Sequence, residues 1–145
     1  MFSISDEHVR QRGNLRLILT SPFIYSMIIP LGLMDLCISF YQFVCFPAYG
    51  IPWVRRKKYV QLVRRGDGLP WFDRFNCTYC SYANGVCAYM RAVLIETEKY
   101  WCPIKYKMRA GYQPPHPQGT YAEDGDVKKL KTIIDDVPHG PEGVA

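Results

Sequence analysis

Six cysteines occupy 145 residues, and any chemistry in this chain would begin with their spacing. Cys77 and Cys80 form a C-x2-C pair, and Cys102 follows after twenty-one intervening residues, directly before Pro103. Thiolates at that spacing suit two uses: ligands of a metal ion, or a dithiol that exchanges electrons. Zinc takes four ligands in a tetrahedron. Cys77, Cys80 and Cys102 supply three, and the fourth place falls to His116 or Cys87. The expected site is therefore Cys77, Cys80, Cys102 and His116 around zinc, with iron as the alternative cofactor. Plain buried cysteines are the remaining reading. Cys37 and Cys45 lie in an apolar stretch and read as small hydrophobes.

The other polar candidates carry less. Glu96 and Glu98 stand two apart on an expected helix, face different ways and read as solvated. His8 and His139 lie in terminal segments with no partner in view. Asn76-Cys77-Thr78 matches a glycosylation sequon, which has no meaning in a cytoplasmic segment. There is no phosphate loop, HExxH, G-x-S-x-G or nucleotide fingerprint. No catalytic residue is assigned, and the chain is not expected to be an enzyme.

Whatever the cysteines do, they do it beside a membrane. Leu17–Met34 runs eighteen residues without a charge, and after Asp35 another nineteen follow up to Val54. A bilayer core of about 30 Å needs about 20 apolar residues in a helix. The run is too long for a signal peptide and no small-x-small cleavage site follows it. Pro30-Leu31-Gly32 falls near the middle and predicts a kink or break. Two topologies satisfy the pattern: one kinked span over roughly 20–46 with 47–54 along the interface, or a re-entrant hairpin.

The flanks are basic on both sides, with Arg10, Arg12 and Arg16 before and Arg55, Arg56, Lys57 and Lys58 after. Residues 1–110 hold fifteen Lys/Arg against seven Asp/Glu, whereas 111–145 hold three against six. Cations clustered at the ends of an apolar run match anionic lipid head groups, and no nucleic-acid partner is expected. Arg64 and Arg65 make the C-terminal flank the richer one, so the positive-inside rule puts 55–145 in the cytoplasm. Asp35 is the single charge inside the run. It predicts either contact with a partner, proton or cation, or an N-cap after the Pro30–Gly32 break. Gln42 shares its helical face, and such a polar stripe packs against protein.

The fold class expected is mainly α, in five stretches. Residues 1–16 are a basic flank, 17–54 the membrane segment and 55–68 a basic interfacial segment. Residues 69–107 are a small Cys-rich helical module facing the cytoplasm, and 108–145 a flexible Pro/Gly-rich acidic tail. Within the module Asn84 is a plausible N-cap for a helix over 86–100 that Pro103 stops. Within the tail a short helix is expected near 126–137, with Leu130, Ile133, Ile134 and Val137 as a docking stripe.

Two resemblances bear on these residues. Cys77-Thr78-Tyr79-Cys80-Ser81-Tyr82 is similar to the first knuckle of a rubredoxin, but Cys102-Pro103-Ile104-Lys105 carries lysine where that family has its last cysteine. Over roughly 17–107 the chain resembles a family of small bacterial membrane proteins with an N-terminal apolar anchor and a cysteine module. The matching stretches are Ser21-Pro22-Phe23-Ile24-Tyr25, Asp35, Tyr41-Gln42, Cys45-Phe46-Pro47 and Tyr49-Gly50-Ile51-Pro52. They continue through Asn76-Cys77, Cys80, Tyr82-Ala83-Asn84-Gly85 and Thr97–Lys105. That family pattern has a histidine directly after the last stretch, where this chain has Tyr106. The resemblance implies a bacterial inner-membrane location and a joint role for Cys77, Cys80 and Cys102. It implies no reaction.

These readings converge on a membrane-anchored accessory subunit or adaptor of a larger membrane complex, bound to lipid through Arg55, Arg56, Lys57 and Lys58. A zinc-stapled cysteine module would stabilise a body too small to bury a sufficient core alone. The alternative is a membrane-bound electron-transfer or redox protein using a thiolate iron site or the Cys77/Cys80 dithiol.

Overall fold

A computed structural model describes residues 14–62, 68 and 71–136. Among these described residues five helices follow in order: α1 (Asn14–Ser26), α2 (Ile28–Tyr49), α3 (Arg56–Tyr59), α4 (Trp71–Trp101) and α5 (Val127–Asp135). The fold is mainly helical, with no strand among the described residues beyond an isolated bridge between Ile104 and Ala122.

The apolar run is a helix from Leu19 to Tyr49, interrupted by a turn at Met27. Pro30 explains the interruption. It has no N–H to give the Ser26 carbonyl, and its ring crowds that same oxygen four residues back. The Leu31 N–H reaches the Met27 carbonyl at 3.2 Å and the helix resumes. It therefore continues through Pro30-Leu31-Gly32, and no hairpin turn occurs there. At the far end Gly50 takes φ 68°, and the Ile51 N–H bonds the Phe46 carbonyl at 3.0 Å. This is a glycine C-cap of the Schellman type, closed by two buried apolar residues, Phe46 and Ile51.

The expected helix over 86–100 is longer than the sequence suggested. α4 starts at Trp71, so Asn84 lies mid-helix and its Nδ2 donates back to the Cys80 carbonyl at 2.8 Å. Gly85 does not break the helix, because packing needs it there. A Cβ at that position would sit 2.9 Å from the Tyr59 carbonyl oxygen and 3.0 Å from the Val60 Cα. The basic segment forms only the single turn α3, and Val63, Arg64 and Arg65 lie outside the described residues.

The chain divides into two compact units, Met1–Ser39 with Arg55–Met90 and Phe40–Val54 with Arg91–Ala145. The core of the first holds Leu31, Val86 and Tyr89, with the Tyr59 and Tyr89 rings 6.5 Å apart. Tyr25 packs on Phe75 and Tyr79 and donates its hydroxyl to Asn76. The core of the second holds Phe46, Ile51, Val54, Val93, Pro103, Tyr121 and Ala122. In that unit Gln42 is fully buried and donates to the Val54 carbonyl at 2.9 Å, so this polar group packs against protein.

The stretch after Pro103 is extended but pinned. Ala122 N–H bonds the Pro103 carbonyl at 2.8 Å, and Lys105 N–H bonds the Ala122 carbonyl at 2.9 Å. At α5, the Asp126 side chain caps the helix by accepting from the Lys129 N–H at 3.0 Å. Val137 and His139 lie outside the described residues, as does His8.

Candidate functional site

The apolar helix is the largest unpartnered feature. Only 11% of its most apolar window is buried. Outward positions include Phe23, Ile29, Leu33, Leu36, Phe40 and Phe43, each 60% exposed or more. Leu33, Leu36, Phe40, Phe43 and Val44 recur at helical spacing on one face. Leu31, Asp35, Gln42 and Phe46 fall on the opposite one and are buried. One described helix is thus long and apolar enough to cross a membrane, which a signal sequence or a core helix also satisfies.

Asp35 is not an N-cap, since α2 begins seven residues earlier. Its carboxylate is held from two sides within the first unit. Arg56 Nε donates to Oδ1 at 2.9 Å and Nη2 to Oδ2 at 2.5 Å, in the bidentate geometry that suits a guanidinium. Tyr82 adds its hydroxyl to Oδ2 at 3.1 Å. The Asp35 side chain is 11% exposed and that of Arg56 44%. Arg56 sits at the start of α3, so the pair fixes the basic turn against the middle of the apolar helix. Arg55, Lys57 and Lys58 remain exposed there.

In the second unit a groove of about 690 Å³ is lined by Thr97, Glu98, Trp101, Cys102 and Tyr106 among others. Glu98, expected to be solvated, has 22% of its side chain exposed and turns toward His116 and Tyr106. His116 Nε2 lies 3.8 Å from Glu98 Oε2 and 3.1 Å from the Tyr121 hydroxyl, and both ring residues are buried. Burial first, and then the Glu98 carboxylate, push the Tyr121 phenol up to about 12. The same two causes raise Tyr106. Both phenols therefore stay protonated at neutral pH and act as hydrogen-bond donors. The groove presents the carboxylates of Glu98 and Asp124, the cations of Lys105 and Lys107 and the Tyr106 phenol, an arrangement able to bind polar groups and without a phenolate base.

The predicted metal residues divide between the two units. Cys77 and Cys80 stand three residues apart on α4 in the first unit. Cys102 follows the end of α4 in the second unit, and His116 is engaged by Tyr121 and Glu98. All six cysteines are free thiols. Among the described residues no three His, Cys, Asp or Glu side chains gather as a metal ion requires. Four ligands about 2.0–2.3 Å from one ion would have to converge closely. The physical reason is local. A knuckle needs a tight turn around C-x2-C, and here the pair is absorbed into a helix.

Sequence reasoning missed the Arg56 partner of Asp35 and the enclosure of Glu98. The first had a signal, because a carboxylate in an apolar run demands a cation and the nearest cations are Arg55–Lys58. The second had none, since Tyr106, His116 and Tyr121 reach Glu98 only through the fold. Set against family models, curated proteins and solved structures, the chain matches none of them.

Proposed function

We propose that this chain is a membrane-anchored accessory subunit or adaptor, tethered by α1 and α2 and offering its remaining surface to a partner in the same membrane. The observation that carries the reading is the exposure of the apolar helix. One face of it is exposed along its length, from Phe23 to Phe43, while its polar residues Asp35 and Gln42 turn inward and are satisfied by protein. A helix of this kind in water would expose far more apolar surface than soluble proteins carry. Trp101, Met108 and Val127 are exposed and suit a protein contact. The cytoplasmic face of a bacterial inner membrane is the location this reading takes, from the cations at Arg55–Lys58.

The test is alkaline carbonate extraction followed by sizing in mild detergent. The chain should stay in the membrane pellet and migrate with one defined partner at fixed stoichiometry. Release into the supernatant would remove the anchor from the reading. Migration as a lone 16.8 kDa chain in its micelle, after cross-linking in the native membrane, would remove the adaptor role.

A further inference from the structure

We infer that the apolar helix lies along one leaflet of the membrane, in its plane, instead of crossing it, and that Arg55, Lys57 and Lys58 meet the phosphates of anionic lipids there. This rests on the membrane-anchored reading above and specifies how the anchor sits. The decisive feature is where the Asp35–Arg56 pair falls. Asp35 is sixteen residues after Leu19 and fourteen before Tyr49, the middle of the helix. Arg56 binds it through two hydrogen bonds. Arg55, Lys57 and Lys58, its neighbours in sequence, are exposed to whatever surrounds this position.

In a crossing helix the middle lies about 15 Å from either surface of a 30 Å core. Three exposed cations would then sit at the bilayer centre, with stems too short to reach water. Sliding the helix along its axis does not help. Placing Asp35 at the surface moves half of the helix out of the lipid. Either Phe23 and Ile29 or Phe40, Phe43 and Val44 would then stand in water, and all five are exposed. Laying the helix flat resolves both conflicts at once. The face bearing Leu33, Leu36, Phe40, Phe43 and Val44 enters the acyl boundary, and the basic turn stays at head-group level. Trp53, 51% exposed and two residues before Arg55, has the chemistry of that same boundary.

The experiment is a depth profile. Nitroxide labels are placed singly at Phe23, Leu33, Leu36, Phe40 and Val44 in the full chain with its six cysteines changed to serine, reconstituted in phosphatidylglycerol/phosphatidylethanolamine vesicles. All five should report one shallow depth. A profile deepest at Leu33 and Leu36 and shallow at both ends would overturn the inference while keeping the anchor. Labels without lipid contact, on a chain left in the supernatant, would mean that the membrane reading itself has failed. Because the serine variant could misfold, reporters fused to each terminus of the unaltered chain give a second reading. Both termini on one side fit the flat helix, and opposite sides contradict it. For the lipid contact, Arg55→Gln/Lys57→Gln/Lys58→Gln should weaken partition into those vesicles roughly 10- to 100-fold, with little change for phosphatidylcholine alone. Equal partition of variant and parent would refute the phosphate contact.

Discussion

Asp35 in the first unit and Glu98 in the second are both carboxylates turned toward aromatic side chains, yet they are neutralised differently. Asp35, 11% exposed at its side chain, has a guanidinium at hydrogen-bond distance. Glu98, 22% exposed, has a phenol and an imidazole, with Tyr121 behind them. A carboxylate set in an apolar helix has no water to share its charge, so an ionic partner is required. At the edge of an open groove solvent does part of that work, and the Tyr106 phenol suffices. The energetics of the two clusters should differ accordingly.

Removing the cation should give the largest effect. Arg56→Gln leaves Asp35 buried with only the Tyr82 hydroxyl as donor. Loss of one partner of a buried pair costs about 3–5 kcal/mol, and the partial exposure of Arg56 lowers that to about 2–3. Asp35→Asn should cost less, about 1–2 kcal/mol, because an orphaned guanidinium can turn toward water whereas the carboxylate cannot. Chemical unfolding in detergent micelles measures both. Equal losses would break the asymmetry on which the comparison stands.

The groove cluster should declare itself in alkali. Tyr121 titrates at about 12 in the folded chain and near 10 when unfolded. The unfolded state therefore loses its proton first as the pH rises. Stability from this group is complete below pH 10 and drains away between 10 and 12, by about 2–3 kcal/mol in all. Tyr121→Phe should flatten that part of the stability–pH curve. An unchanged alkaline slope would show that burial of the phenol is not its source.

Gly85→Ala tests how closely α4 approaches the segment after α3. Intrinsic helix propensity alone would make alanine better by about 1 kcal/mol. The new Cβ would meet backbone at 2.9 and 3.0 Å, and backbone cannot rotate away as a side chain can. Overpacking of this kind costs about 1–3 kcal/mol, so a net loss of about 1 kcal/mol is expected. A gain in stability would mean that the contact with Tyr59 and Val60 is looser than described.

The residues that were legible in sequence are those whose local pattern decides the outcome. A long apolar run with Asp35 as its single charge dictated the long helix, and Asp126 ahead of an apolar stripe matches the cap of α5. Gln42, on one face with Asp35, was read as packing on protein and does so. Pro30 and Gly32 predicted a kink or break, and a single turn at Met27 absorbs the missing hydrogen bond. The errors came where tertiary contact overrode a local signal. Asn84-Gly85 looked like a helix start, yet Gly85 is there for close packing, and α4 runs back to Trp71. That extension places Cys77 and Cys80 on a helix, three residues apart. Glu98 looked solvated because its partners lie eight, eighteen and twenty-three residues onward, beyond any local rule.

The smallest expected effect is the sharpest check on the comparison. Lys105 and Glu123 form an ion pair of 2.5 Å, the same length as the Arg56–Asp35 contact. Distance alone would therefore rank them as equals. Their surroundings differ: the Glu123 side chain is 68% exposed and that of Asp35 11%. In water the Coulomb gain is small, and salt screens what remains. Glu123→Gln should change stability by less than about 0.5 kcal/mol, and added salt should erase even that. A loss approaching that of Arg56→Gln would mean that length, and not burial, sets the worth of an ion pair in this protein.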